Sequence, residues 1–104
     1  MIDLRRITGF DWDEGNSRKS ADKHHVSQAE AEQVFFNSPL LVLPDPRHSL
    51  QETRLHALGK TDETRLFFVS FTLREGATML SVISARPMNR KERESYEQTD
   101  ENNS

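Results

Sequence analysis

The sequence predicts an α+β fold in which helices pack on one antiparallel β-sheet. Short apolar runs rich in β-branched and aromatic residues follow one another over residues 40–85, separated by polar turns. Helix-type patterns lie before and after these runs. The chain has 104 residues, enough for one core but not for two domains. Because short turns join antiparallel neighbours, we expect a meander of about four strands plus a short N-terminal strand.

The N-terminal region should contain the short strand and a first helix. Residues 7–12, ITGFDW, place Phe10 and Trp12 two apart, which puts both rings on one face of a strand. Asp13 can cap a helix over residues 14–24.

The second helix has clearer ends. Ser27 followed by Glu30 is a capping-box pattern, and apolar residues then recur at helical spacing. Pro39 cannot continue the helix. The apolar run 40–44 then predicts a strand that leads into the polar loop 45–52.

Three further strands and a last helix should complete the fold. The strands begin near Arg54, Arg65 and Thr78. The middle one, RLFFVSFTL, is apolar on both faces, as expected for a strand covered on both sides or central in the sheet. Asn89 and Glu92 form a second capping-box pattern at the start of the last helix.

Composition limits the class of protein. We expect residues 1–96 to form a single domain and residues 97–104 a frayed polar tail. The absence of cysteine excludes disulfides and thiolate metal sites. No apolar stretch approaches the roughly 20 residues that span a bilayer, and no signal-peptide pattern is present, so we expect a cytoplasmic protein without membrane contact. A net charge of −3 means that any contact with nucleic acid must be local.

Common cofactor motifs are missing from the sequence. His24 and His25 are adjacent and point in different directions on a helix, and no paired-histidine metal spacing occurs. Phosphate-binding glycine loops and the nucleophile-elbow pattern are also missing. We therefore expect no metal and no cofactor.

A candidate site follows from strand periodicity. Glu52, Arg54 and His56 alternate along one strand and should share a face, while Arg86 ends the last strand. If these faces meet, a carboxylate and two guanidinium groups converge, a geometry suited to binding a phosphodiester and moving a proton. The alternative interpretation is a structural ion pair between Glu52 and Arg86.

Other candidates also have structural interpretations. Trp12 can serve core packing or base stacking. Arg90 with Glu94, and Arg93 with Glu97, are i,i+4 pairs typical of a solvated helix face.

Several separated motifs together resemble the BrnT family of bacterial type II toxins. The segments that carry the resemblance are FDWDEGN, DKHHVSQAEAEQVFF, QETRLHALG and SVISARPMNRKERESYE, in that order. The family pattern K-H-G-[VIL] is matched from Lys23 to Val26, with His25 where glycine is usual. Its E-x-R pattern is matched by Glu52 to Arg54. Its I-S-x-R ending begins at Ile83, and Ser81 stands where many members have arginine.

The resemblance implies a RelE-like α+β fold and a metal-independent ribonuclease that cuts cellular RNA and halts translation. It also implies a BrnA-like antitoxin partner with a ribbon-helix-helix domain. DNA would be bound only through that antitoxin, in a complex that represses its own operon.

The resemblance also assigns site residues. The catalytic candidates are Lys23, Glu52, Arg54 and Arg86, and the substrate-binding candidates are Trp12, His24 and Arg90. In the implied mechanism the RNA 2′-hydroxyl attacks the adjacent phosphate, Glu52 or Lys23 relays the proton, and Arg54 and Arg86 neutralise the transition state. The alternative function is a non-enzymatic module that binds an acidic or DNA-binding partner.

Overall fold

The structure, a computed structural model, describes residues 4–12, 21–48 and 53–102. Its strands are β1 (Gly9–Trp12), β2 (Leu41–Pro44), β3 (Arg54–Lys60), β4 (Leu66–Arg74) and β5 (Met79–Pro87). Its helices are α1 (Gln28–Gln33) and α2 (Arg90–Asn102), with short 3₁₀ turns at Leu4–Arg6, Val34–Phe36 and Pro46–His48. Residues 21–24, the C-terminal end of the helix predicted over 14–24, are also helical. Residues 14–20 of that predicted helix lie outside the described residues.

The five strands form one mixed sheet in the order β1-β5-β4-β3-β2. Strands β2 to β5 are the predicted antiparallel meander. The prediction of an antiparallel sheet is wrong at its edge, because β1 pairs parallel with β5, with Gly9 opposite Met79. These two strands come from opposite ends of the chain, and no local sequence pattern specifies the direction of such a distant pairing.

The two capping boxes predicted from the sequence are both confirmed. At α1, the Glu30 backbone N–H donates to Ser27 Oγ, and the Ser27 N–H donates to the Glu30 carboxylate. At α2, the Glu92 N–H donates to Asn89 Oδ1, and the Asn89 N–H donates to Glu92 Oε1. The tail predicted over residues 97–104 begins inside α2, because this helix continues to Asn102. Fraying of the tail stays a prediction.

Each face of the sheet has its own core. The first core joins the α1 region to one face and includes Val34 and Phe35 with Phe67, Val69 and Phe71. The second core lies on the other face. It contains Leu58, Met88 and Tyr96, with Phe68, Leu41 and Leu66 packed against it. The sequence pattern had not specified that α1 and α2 lie on opposite faces. Strand β4 is central and contributes to both cores, as its two apolar faces predicted.

Two close contacts hold the layers together. A Cβ atom at Gly59 would lie 2.6 Å from Val34 Cγ1, so only glycine lets the turn after α1 approach β3 this closely. On the other side, the buried Tyr96 hydroxyl donates to the Pro39 carbonyl at 2.6 Å. Among the described residues, no helix is long and apolar enough to cross a membrane.

Candidate functional site

A β-bulge places the last strand's arginine on the same side as α2. Leu80 and Val82 lie in the first core, but the next β5 residue in that core is Ala85, three positions later. The irregularity in the pairing of β4 with β5 lies here, where Ser84 opposes Ser70 and Val82 opposes Phe71. The extra residue reverses the alternation, so Arg86 projects to the opposite face. We call this polar surface the His56 face; its residues are Asp45, His56, Phe68, Ser70, Arg86 and Glu92.

His56 is fixed through both ring nitrogens. Its Nε2 lies 3.0 Å from Asp45 Oδ2, and its Nδ1 lies 2.9 Å from Ser70 Oγ. The Asp45 side chain is only 7% exposed, so its charge requires such a partner inside the protein. The imidazole therefore has a set orientation and stands next to a buried carboxylate.

Phe68 connects the histidine to the arginine. Its ring centroid lies 4.5 Å from that of His56, and the Arg86 guanidinium carbon lies 4.2 Å from the same centroid. Cation–π contact of this kind favours one orientation of the guanidinium plane.

Arg86 forms a bidentate ion pair with Glu92. Its Nη1 and Nη2 donate to the two Glu92 carboxylate oxygens at 2.9 and 2.8 Å. Burial tends to raise the pKa of Glu92, but the Arg86 and Asn89 hydrogen bonds and the charges of Arg86 and His56 lower it below its usual value. Nη1 also donates to the Pro87 carbonyl, whereas Nε makes no hydrogen bond to any described residue. As far as the described residues go, the half-buried guanidinium thus keeps a donor for an added anion.

Arg54 lies on the same face as His56 and Arg86, according to the strand registers. Arg54 opposes Thr72 on β4, and Arg86 opposes Phe68, four residues earlier on that strand. His56, Ser70 and Ser84 form one row across the sheet, and the two arginines lie on either side of that row.

Glu52 lies outside the described residues, but both ends of its loop are defined. The Asp45 N–H donates to the Arg54 carbonyl at 3.0 Å, and Thr72 Oγ1 donates to the Thr53 carbonyl at 2.7 Å. The loop that carries Glu52 therefore begins and ends beside His56. The predicted alternative, an ion pair between Glu52 and Arg86, stays a prediction, and the described ion-pair partner of Arg86 is Glu92.

A second polar cluster lies on the α1 side. Arg65 pairs with Glu30, donates to the His25 carbonyl at 3.2 Å, and stands 4.8 Å from the Phe67 ring centroid. Burial acts to raise the pKa of Glu30, but the hydrogen bonds from Ser27 and Arg65 and the Arg65 charge lower it overall. Arg65 is not among the site residues predicted from the sequence.

The other predicted site residues are not brought to the His56 face by any described contact. Lys23 is exposed and His24 half-buried, both in the segment before the buried Val26 of the first core. The Trp12 indole donates to Glu32 at 3.1 Å, and its ring packs on the first core. Arg90 is exposed and pairs with Glu94, as the i,i+4 spacing predicted.

Several residues of the His56 face were missed because their signals are not local. Asp45 is the first residue of a polar loop, and nothing in the local sequence links it to His56. Ser70 interrupts an apolar strand, and this polar residue was the one signal that the strand contacts a polar side chain. Glu92 was recognised only as a cap. No group of three histidine, aspartate or glutamate side chains within the described ranges is placed to hold a metal ion.

Comparison with known proteins gives the family. Residues 12–92, most of the chain, match the family described as the ribonuclease toxin BrnT of type II toxin-antitoxin systems. The fold is similar to the crystal structure of the Brucella abortus ribonuclease toxin BrnT, with 26% sequence identity and a TM-score of 0.59, covering 79% of this chain and 97% of that one. A search of curated proteins finds no match. The chain therefore belongs to the BrnT family of ribonuclease toxins of type II toxin-antitoxin systems.

Proposed function

We propose that this toxin is a metal-independent endoribonuclease that acts at the His56 face and arrests translation in the cytoplasm. The observation that carries the proposal is the position of Arg54 and Arg86 on either side of the row that contains His56, on one face of the sheet. Guanidinium groups can hold a phosphodiester, and an ionisable side chain of the neighbouring loop can serve proton transfer.

The proposed reaction is transesterification within the RNA strand. The 2′-oxygen attacks the adjacent phosphorus and loses its proton to a base, the bond from phosphorus to the 5′-oxygen breaks, and that oxygen takes up a proton. The products are a 2′,3′-cyclic phosphate and a 5′-hydroxyl. Arg54 and Arg86 would stabilise the extra negative charge of the pentavalent transition state.

The proton relay is assigned to Glu52 or Lys23, as the family pattern implies. The geometry favours Glu52, because the described residues at both ends of its loop lie beside His56. His56 has both ring nitrogens engaged, so we assign it as a positioning residue that holds Phe68 and the loop in place. Trp12, His24 and Arg90 remain proposed substrate contacts.

The decisive experiment compares Arg86→Ala with Arg93→Ala on purified toxin. Arg93 is an exposed arginine of α2 that donates to the Met88 carbonyl, so it controls for loss of one positive charge. We expect Arg86→Ala to fold and to cleave RNA about 10²–10³-fold more slowly, the range for loss of one transition-state donor. Arg86→Lys should restore activity only in part, because an ammonium lacks the guanidinium fork.

The reaction type is tested with chelator and with modified RNA. Cleavage should persist in excess EDTA and should stop when the nucleotide at the cut carries a 2′-deoxyribose. Metal-dependent cleavage, or cleavage of the deoxy substrate, would exclude the proposed mechanism.

A binding module remains the second candidate function. The observation in its favour is that Glu92 within the same chain already satisfies Arg86 with two hydrogen bonds. Equal RNA cleavage by wild-type and Arg86→Ala toxin would favour this alternative.

The partner is proposed to be a BrnA-like antitoxin with a ribbon-helix-helix domain. The complex, and not the toxin alone, would bind operator DNA and repress the operon. Gel-shift titration of the operator with toxin, antitoxin and the complex tests this directly.

A further inference from the structure

An apolar groove lies along β1, the edge strand that pairs with β5. Its lining includes Ile7, Phe10, Phe35, Phe36 and Leu80. The Phe10 ring centroid lies 5.8 Å from that of Phe35 and 5.9 Å from that of Phe36, so the three rings form a contiguous aromatic surface. The groove is on the α1 side of the sheet, whereas the His56 face is on the other side.

Phe36 is unusually exposed for its size. It is 77% accessible, although its ring contacts a residue packed on the first core. Among the described residues, the other exposed large apolar side chain is Leu43, which is 48% accessible. It lies on β2, the strand at the other edge of the sheet from β1. An aromatic side chain left in water beside an apolar groove is typical of a binding hot spot.

The segment that precedes the groove lining in the chain, which we call its rim, is basic, although the protein as a whole is acidic. Arg5 and Arg6 directly precede Ile7 of the lining, and both are exposed. The net charge of the chain is −3, so this positive rim is a local feature. Arg5 already has a contact within the protein, so a partner segment that suits both features carries apolar side chains for the groove and a carboxylate for Arg6.

We propose that the antitoxin docks on this groove through an apolar segment with acidic residues, and that Phe36 is the anchor of the interface. The inference rests on the proposed function in taking the partner to be the antitoxin of the same system. Phe36 is not among the proposed catalytic or substrate-binding residues, and the groove and the His56 face lie on opposite sides of the sheet, so a substitution at Phe36 should weaken antitoxin binding without changing RNA cleavage.

The test measures the affinity of the purified toxin for the antitoxin encoded beside it, by calorimetry, for Phe36→Ser and Leu43→Ser. Phe36→Ser should bind about 30-fold more weakly or worse, the effect of losing a hot-spot residue, while Leu43→Ser should stay within about threefold. Phe36→Ser should also cleave RNA at the wild-type rate. That readout keeps failure of the docking proposal distinct from failure of the ribonuclease proposal.

A second variant covers the case in which Phe36→Ser does not fold. Arg6→Glu changes only an exposed charge on the rim, and should weaken binding most at low salt. Wild-type affinity in both Phe36→Ser and Arg6→Glu would overturn the proposal. So would a free toxin that is dimeric in sedimentation and becomes monomeric on Phe36→Ser with unchanged antitoxin affinity, because a second copy would then occupy the groove.

Discussion

His25 departs from the glycine of the family pattern but has the backbone conformation that a glycine would favour. Its φ is +54°, in the left-handed region that favours glycine. The family pattern usually has glycine at this point, between His24 and Val26. The structure gives the physical reason, because the chain must turn sharply between the helical residues 21–24 and the buried Val26.

We expect His25→Gly to leave the free energy of unfolding unchanged or to raise it by up to about 1 kcal/mol, because the strain of a side chain at positive φ is removed. His25→Val should lower it by about 1–2 kcal/mol, since β-branched residues tolerate this region least. Urea denaturation measures both. Equal destabilisation by the two substitutions would show that the imidazole itself, and not the backbone, matters at this position.

At the scale of elements, the approach of the α1 region to β3 depends on the missing side chain at Gly59. A Cβ atom there would meet Val34 Cγ1 at 2.6 Å and the Val34 carbonyl at 3.2 Å, and the backbone atom cannot move aside alone. Gly9 on β1 is a matched contrast. Its nearest neighbour would be the flexible end of Met79, at 3.3 Å.

Gly59→Ala should therefore lower the free energy of unfolding by about 1–3 kcal/mol, the range for overpacking a core. Gly9→Ala should change it by less than about 1 kcal/mol, because the methionine side chain can shift. Thermal unfolding followed by circular dichroism compares the two. Equal stability of Gly59→Ala and Gly9→Ala would mean that the α1 region can move away from β3 without loss of folding free energy.

Over the whole molecule, the same kind of ion pair joins a helix to each face of the sheet. The glutamate of each capping box also pairs with an arginine in the sheet or next to it: Glu30 with Arg65, just before β4, and Glu92 with Arg86 of β5 on the other face. The pKa of each carboxyl is lowered from its ordinary value of 4.5. A lowered pKa in the folded state means that the unfolded chain binds more protons, so the stabilisation is complete above about pH 4.5 and is lost as the pH falls through the folded-state pKa.

We expect the double variant Glu30→Gln, Glu92→Gln to be less stable than wild type above about pH 5, with the difference shrinking toward pH 3. The control is Glu94→Gln. Its partner Arg90 is 87% exposed, and such surface pairs contribute little to stability. Denaturation midpoints across this pH range provide the measurement. A difference that grows as the pH falls would contradict the linkage.

The features that could be predicted from the sequence were mainly local ones. Capping boxes, the end of the second helix and the meander of β2 to β5 all depend on neighbouring residues, whose spacing is visible in the chain. The family followed from motifs that lie in a fixed order. Arg54 and His56 were assigned to one face correctly, because β3 alternates without interruption.

The other features could not be predicted, because they depend on contacts between distant parts of the chain. The parallel pairing of β1 with β5, and the division of the helices between two faces, depend on how separate elements bury their apolar sides. The bulge in β5 turns Arg86 away from the first core and toward Glu92 and Phe68, which a strict two-residue period cannot show. The proposed site depends on that one extra residue, because it changes the face on which Arg86 projects.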